Sequence, residues 1–245
     1  MTGWVAVAGL GPGADHLITP EVTSALAEAT DVVGYIPYVA RIAPRRGLVL
    51  HPSDNRDELE RALTALTMAA QGKRVVIVSS GDPGVFAMAA ALFETLETHP
   101  AFAQTDIRIL PGITAMLAAA ARAGAPLGHD FCAINLSDNL KPFDMIAHRL
   151  RHAARGGFAM AFYNPRSAAR PHQFARVLDI LREECEPDRL ILFARAVSTP
   201  DERLHSVTLA EAQPEMADMR TLVILGNAAT RRVGQWIYTP RSALS

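Results

Sequence analysis

Trp4-Val5-Ala6-Val7-Ala8-Gly9-Leu10-Gly11-Pro12-Gly13-Ala14 is an apolar run that breaks into three glycines and a proline. A run without apolar–polar alternation fits a strand covered on both faces, as in a parallel sheet flanked by helices. Val75-Val76-Ile77-Val78 has the same character and leads into Ser79-Ser80-Gly81-Asp82-Pro83-Gly84. Outward from these two runs, strands are expected at residues 4–10, 31–35, 48–51, 75–80 and 107–110. Helical patterns fall between and after them, at 21–29, 57–71, 85–96 and 113–123. Strand alternating with helix is the α/β signature.

Gly124-Ala125-Pro126-Leu127-Gly128 interrupts the pattern, which then restarts. Strands are expected at residues 131–136, 158–163, 190–196, 204–209 and 222–225, and helices at 143–154 and 173–184. Residues 197–203 are too few for a crossover helix, so the flanking strands should form an antiparallel hairpin. The chain therefore reads as two α/β lobes, residues 1–116 with a parallel sheet and 117–245 with a mixed one.

The 245 residues are 49% hydrophobic and 20% charged, an ordinary globular balance, with a formal net charge of −1. Nucleic-acid binding usually needs a basic excess, so the charge argues against an RNA or DNA partner. The two cysteines, Cys132 and Cys185, stand far apart in no metal-ligand spacing and suit a cytoplasmic chain with reduced thiols. Residues 4–10 are too short for a signal-peptide core, and no apolar run has the length of a membrane helix. Of 24 basic residues only Lys73 and Lys141 are lysine. Arginine suits bidentate carboxylate binding, but a GC-rich genome, which the alanine runs also suggest, is the preferred explanation of the bias.

The first glycine loop satisfies G-x-G-x-x-A after a strand, and Asp31 lies 22 positions after Gly9. That combination suggests a dinucleotide-binding fingerprint and an NAD-dependent oxidoreductase. Two features oppose it. The next helix should start only at Pro20, with Thr19 as N-cap, whereas the fingerprint runs straight into a helix. Asp31 also precedes its strand, whereas a ribose-binding acid follows one. Three glycines within five residues still imply that something approaches the backbone closely.

Each of the other loops is, alone, an ordinary turn. Gly81-Asp82-Pro83-Gly84 and Pro111-Gly112-Ile113-Thr114-Ala115 both follow strands and lead into helices, at the carboxyl ends where α/β sheets bind ligands. Three such loops at the same ends of strands suggest one binding edge. Asp138, in Ser137-Asp138-Asn139, is a candidate acid/base, with helix capping as its commoner role. Tyr163-Asn164-Pro165-Arg166-Ser167 ends a strand of the second lobe. His148 and His152 have a metal-compatible spacing, but Arg149, Arg151 and Arg155 surround them, so a solvated helix face is expected and no metal site.

Taken in order and at their spacings, Gly9-Leu10-Gly11-Pro12-Gly13, Gly81-Asp82-Pro83 and Pro111-Gly112-Ile113-Thr114-Ala115 resemble the tetrapyrrole methylases over essentially the whole chain. Further stretches resemble the branch that methylates corrin precursors in cobalamin biosynthesis. They are Gly34-Tyr35-Ile36-Pro37-Tyr38, residues 79–88 (SSGDPGVFAM), residues 124–131 (GAPLGHDF), Leu136-Ser137-Asp138, residues 163–167 (YNPRS) and Thr239-Pro240-Arg241. Two departures stand out: Pro142-Phe143 for the usual Pro-Trp, and Ser242-Ala243 where Gly-Tyr is common.

The resemblance implies two α/β lobes with S-adenosylmethionine in the cleft between them, a homodimer, and a tetrapyrrole substrate. By motif position it implies cofactor contacts at Pro12, Gly81, Asp82, Val85, Thr114, Ala115 and Asn164, with Ala196 and Thr221 on less distinctive motifs. The implied reaction methylates ring carbon 17 and contracts the macrocycle, expelling carbon 20 as an acetyl group. Asp138 and His129 are candidate bases for the second step, and Arg166, Arg41 and Arg45 candidate clamps for acetate and propionate arms. The same family includes RNA methyltransferases, and a non-catalytic tetrapyrrole-binding role stays open alongside the oxidoreductase.

Overall fold

The computed structural model describes residues 3–54 and 57–242. They divide into two compact units, Met1–Thr114 and Ala115–Ser245. Ala243, half of the departure after Thr239-Pro240-Arg241, lies outside the described residues.

The first unit runs β1 (Trp4–Gly9), α1 (Pro20–Glu28), β2 (Asp31–Tyr35), α2 (Ile36–Val39), β3 (Val49–Ser53), α3 (Glu58–Ala70), β4 (Arg74–Ser79), α4 (Met88–Thr98) and β5 (Asp106–Leu110). Its strands form one sheet in the order β3-β2-β4-β1-β5, with every pairing parallel, as the apolar runs predict. Strand periodicity sorts β1 onto two cores. Trp4, Ala6 and Ala8 pack with Val22 and Ala25 of α1, while Val5 and Val7 pack with Leu66 of α3 and Leu92 of α4. Each fully buried Val or Leu contributes about 1.5–3 kcal/mol, so covering both faces gives the unit a core of its own.

Helix α1 starts where its signals place it. The Thr19 hydroxyl accepts the Val22 N–H at 3.3 Å and Pro20 occupies the first turn. Helix α4 starts later than its apolar pattern, at Met88 rather than residue 85. The Val85 N–H bonds the Asp82 carbonyl in a turn, and Phe86 takes a left-handed φ of 55°, which breaks the helical run before it begins. The four-residue α2 carries too little periodicity to be read from sequence.

The second unit runs α5 (Ala115–Ala123), β6 (Gly124–Ala125), β7 (Phe131–Asn135), α6 (Phe143–Arg155), β8 (Ala159–Tyr163), α7 (Gln173–Glu184), β9 (Leu190–Arg195), β10 (Arg203–Thr208), β11 (Thr221–Leu225), β12 (Arg231–Val233) and β13 (Trp236–Tyr238). Its main sheet has the order β10-β9-β11-β8-β7. β9 and β10 are the expected antiparallel hairpin, β7 and β8 are parallel, and β11 runs antiparallel between β8 and β9. Phe162, Phe174, Leu178 and Leu181 form the core beneath α6 and α7.

A small third sheet, β12-β13-β6, was not expected. It joins two of the motifs. The Thr239 N–H bonds the Ala125 carbonyl at 3.0 Å and the Thr239 hydroxyl bonds the Pro126 carbonyl at 2.6 Å. Gly128 is needed because a side chain there would strike the Thr239 carbonyl. Residues 124–131 and Thr239-Pro240-Arg241 are therefore one structural feature, with Thr239 buried at its centre.

Candidate active site

In the first unit the three glycine loops leave the carboxyl ends of β4, β1 and β5, which are adjacent in the sheet. Main-chain bonds join them: Gly11 N–H to the Gly81 carbonyl at 3.2 Å, and Gly81 N–H to the Gly11 carbonyl at 2.9 Å. Asp82 extends the connection, its Oδ1 accepting from Gly84 N–H at 2.8 Å and its Oδ2 from Gly112 N–H at 3.1 Å. Thr19 adds a link from α1, its hydroxyl donating to the Pro111 carbonyl at 3.4 Å.

The glycines serve this loop-on-loop packing. A Cβ at Gly9 would stand 2.5 Å from the Gly81 carbonyl oxygen and 2.8 Å from Gly112 Cα, and one at Gly112 would fall on the Gly81 carbonyl. The close approach implied by the sequence is thus first of all between the loops themselves. The result is one rigid edge carrying Pro12, Gly81, Asp82, Val85 and Thr114, the last buried. Gly84 faces open space apart from the Asp82 carboxylate.

The structure removes the dinucleotide reading. Asp31 opens β2 at the amino end of the sheet, opposite the glycine loops, and is buried. Its Oδ1 meets His51 Nε2 at 2.7 Å and Lys73 Nζ at 3.0 Å, and its Oδ2 accepts from the Thr30 hydroxyl at 2.8 Å. Burial pushes the Asp31 carboxyl up, but the bonds from His51, Thr30 and Lys73 outweigh it and hold it below the usual range.

The arginine candidates differ. Arg41 Nη2 donates to the Leu10 carbonyl at 2.9 Å and stands 3.5 Å from Asp15, so it borders the first loop. Arg45 instead gathers the carbonyls of Leu26, Ala27 and Ala29, closing the carboxyl end of α1. The Gly34–Tyr38 motif meets the second loop through Tyr38 and the Ser80 hydroxyl. Burial pushes the Tyr38 phenol above its ordinary value against that bond.

In the second unit the strand register assembles another edge. Thr221 pairs with Arg195, and Val223 with Phe162, so the start of β11 lies level with the residues that leave β8 and β9. These residues are Asn164 and Ala196. Both are non-glycine residues with left-handed φ, 52° and 49°. Left-handed backbone in such residues is uncommon and clusters at functional sites. The Ala196 N–H bonds the Arg220 carbonyl at 2.8 Å, and Asn164 Nδ2 donates to Asn135 Oδ1 at 3.1 Å. Thr221 is buried with its hydroxyl donating to Asp218 Oδ1 at 2.7 Å. Ala115 opens α5, where the next N–H, of Met116, is capped by the Tyr163 hydroxyl at 3.2 Å.

Asp138 follows β7 at this same edge and stands 3.8 Å from Arg170 Nε. It does not cap α6, whose N-cap is Pro142. His129 precedes β7, at the other end of that strand, with Nδ1 accepting the Asp130 N–H at 2.8 Å. Only one of the two candidate bases therefore shares an edge with Asn164. Arg166 also lies there, its Nε donating to the Pro171 carbonyl at 3.1 Å and its Nη2 3.8 Å from Glu215. Arg170 is missing from the sequence reading. Its Nη1 reaches the carbonyls of Leu136 at 3.5 Å and Asn164 at 3.4 Å and the amide oxygen of Gln173 at 3.3 Å, so it organises the edge. Its position four residues after Arg166 is the only sequence signal it carries.

Elsewhere, the His148 and His152 rings lie side by side on α6, with centroids 4.0 Å apart and planes tilted by 38°. Among the described residues no three His, Cys, Asp or Glu side chains are placed to share a metal ion, and no helix is long and apolar enough to cross a membrane.

The ordered glycine loops and the strand ends around them mark the chain as a methyltransferase of the tetrapyrrole type. Residues 5–213 match the family of tetrapyrrole (corrin/porphyrin) methylases, and the chain belongs to it. Over 247 residues it is 51% identical to precorrin-3B C(17)-methyltransferase of Sinorhizobium sp, covering 98% of this chain and 97% of that protein. The crystal structure of the methyltransferase CobJ matches with a TM-score of 0.96 and 78% identity, covering 97% of this chain and 100% of that one. The uroporphyrin-III C-methyltransferase of Thermus thermophilus complexed with S-adenyl homocysteine matches with a TM-score of 0.68 and 26% identity, over 91% of this chain and 97% of that one.

Proposed function

We propose that this enzyme transfers a methyl group from S-adenosylmethionine to ring carbon 17 of precorrin-3B and contracts the macrocycle toward precorrin-4 in cobalamin biosynthesis. The observation that carries the reading is its end-to-end likeness to the Sinorhizobium C17-methyltransferase, with each donor loop intact. The donor-site chemistry fits the residues present. A nucleoside bearing a sulfonium needs a surface with little side-chain bulk, which Gly81, Gly84, Gly112 and Ala115 provide.

When bound, S-adenosylmethionine supplies an electrophilic methyl group on an excellent leaving group, so no acid is required to expel it. The chain's task is placement and exclusion of water, which in the best-oriented systems is worth up to about 7–11 kcal/mol. In this reading Pro12, Gly81, Asp82, Val85 and Thr114 of the first unit hold the donor, and Ala115, Asn164, Ala196 and Thr221 of the second contribute further contacts. Ring contraction requires a proton to leave the carbon-20 hydroxyl. We assign that step to Asp138, which shares its edge with Asn164, and not to His129. Arg166 and Arg41 are the proposed partners of substrate carboxylates, while Arg45 holds α1 together. We place the enzyme in the cytoplasm as a homodimer.

Mixing the enzyme with precorrin-3B and S-adenosylmethionine should release one S-adenosylhomocysteine per tetrapyrrole consumed. Release that does not depend on the tetrapyrrole would refute the reading.

A further inference from the structure

We infer that the cleft between α1 and the segment after α2 receives one carboxylate arm of the tetrapyrrole, and that Asp15 holds the place of that arm on Arg41 until the substrate binds. This rests on the function proposed above. The cleft has a volume of about 330 Å³. Ile18 and Leu26 line it from the side of α1, and Ile42 and Leu48 from the segment after α2. It holds two guanidiniums, those of Arg41 and Arg45, against a single carboxylate among the described residues, that of Asp15. Two cations facing one acid call for one more negative charge, and the apolar walls suit the methylene groups that would carry it.

The two arginines are engaged differently. Arg45 closes α1 through three carbonyls, those of Leu26, Ala27 and Ala29. Arg41 uses only Nη2, on the Leu10 carbonyl at 2.9 Å and on Asp15 Oδ1 at 3.5 Å, and among the described residues its Nη1 and Nε have no partner. Leu10 stands immediately before Gly11 and Asp15 immediately after Ala14, so Arg41 touches both flanks of the first donor loop. A carboxylate bound to Arg41 is therefore beside the loop that carries Pro12.

The Asp15 contact is the one a substrate can replace. Its backbone is fixed, since the Leu17 N–H returns to the Ala14 carbonyl at 3.1 Å and the Ile18 N–H to the Asp15 carbonyl at 3.0 Å. Its side chain is 84% exposed, and its pair with Arg41 is long. Exposed pairs of this kind contribute little to stability, so one carboxylate can take the place of another. The Leu10 bond meanwhile keeps the guanidinium aimed. A ligand without the arm leaves Asp15 in place, which makes Asp15 a specificity-determining residue.

The test compares D15N with the wild type, and with E97Q as a control that removes an exposed carboxylate of α4 outside the cleft. D15N should tighten precorrin-3B binding, followed by its absorption, and lower KM for precorrin-3B by about three- to tenfold, because the competing carboxylate is gone. E97Q should change both by less than about twofold, since distant exposed charges are screened. S-adenosylhomocysteine affinity should stay within about twofold in D15N. In an R41M background D15N should bring no further gain, because the competition runs through Arg41. Unchanged or weaker precorrin-3B binding in D15N would overturn the inference, as would an equal gain in E97Q or a gain that persists with R41M. A parallel shift in S-adenosylhomocysteine affinity would also overturn it, by making Asp15 a part of the donor loop. A wild-type enzyme that does not bind precorrin-3B would instead overturn the functional reading beneath it.

Discussion

Asp82 Oδ2 accepts the Gly112 N–H at 3.1 Å, so one carboxylate ties the loop after β4 to the loop after β5 across the end of β1. Its other oxygen holds Gly84. A hydrogen bond to a charged group contributes about 1.5–3 kcal/mol. D82A should therefore lower unfolding free energy by about 2–3 kcal/mol in urea denaturation and weaken S-adenosylhomocysteine binding at least about tenfold in calorimetry. Unchanged affinity would mean that the bridge is structural only.

The packing of glycine on glycine gives a second expectation. G112A places a methyl group on the Gly81 carbonyl, with the Gly9 carbonyl 2.7 Å away, and neither is a flexible side chain. It should destabilise the protein by about 1–3 kcal/mol. G84A meets only the Asp82 carboxylate, at 3.2 Å, and should change stability by less than about 1 kcal/mol. Equal thermal shifts for the two would contradict the account of the loops.

These loops show how much was legible. The strands around Val5–Val7 and Val75–Val78 were readable because both faces are buried, and the Thr19-Pro20 cap because its chemistry is local. What the glycines contact was not, since Gly81 and Gly112 are brought to Gly9 only by the sheet order. β6 is two residues long and pairs with a strand more than a hundred residues away, so no periodicity announces it. Phe86 looked like the first turn of a helix because its left-handed backbone is imposed by its neighbours. The assembly of Asn164, Ala196 and Thr221 needed the antiparallel insertion of β11, which the sequence does not encode locally.

Asp31 links stability to pH. Its carboxyl is held below the usual range, so the stabilisation is complete above the unfolded value of about 3.9 and is lost as pH falls through the folded value. D31N should cost about 1–3 kcal/mol at pH 7, and its deficit relative to wild type should shrink below about pH 4. Chemical denaturation at a series of pH values measures this. A deficit constant down to pH 3 would exclude ionisation as its source.

Asp138 is exposed, and among the described residues its ion pair is a long one, 3.8 Å to Arg170 Nε, so its removal should leave the fold and donor binding intact. D138A should bind S-adenosylhomocysteine within about twofold of wild type but form product at least about a hundredfold more slowly in a single turnover. An unchanged rate would remove Asp138 as the base.

The account stands most directly on where the methyl group goes. Carbon-13 methyl-labelled S-adenosylmethionine, incubated with precorrin-3B and the enzyme, should give a product whose NMR spectrum places the label on ring carbon 17 of a contracted macrocycle bearing an extruded acetyl group. Label on any other ring carbon, or on an uncontracted ring, would contradict it.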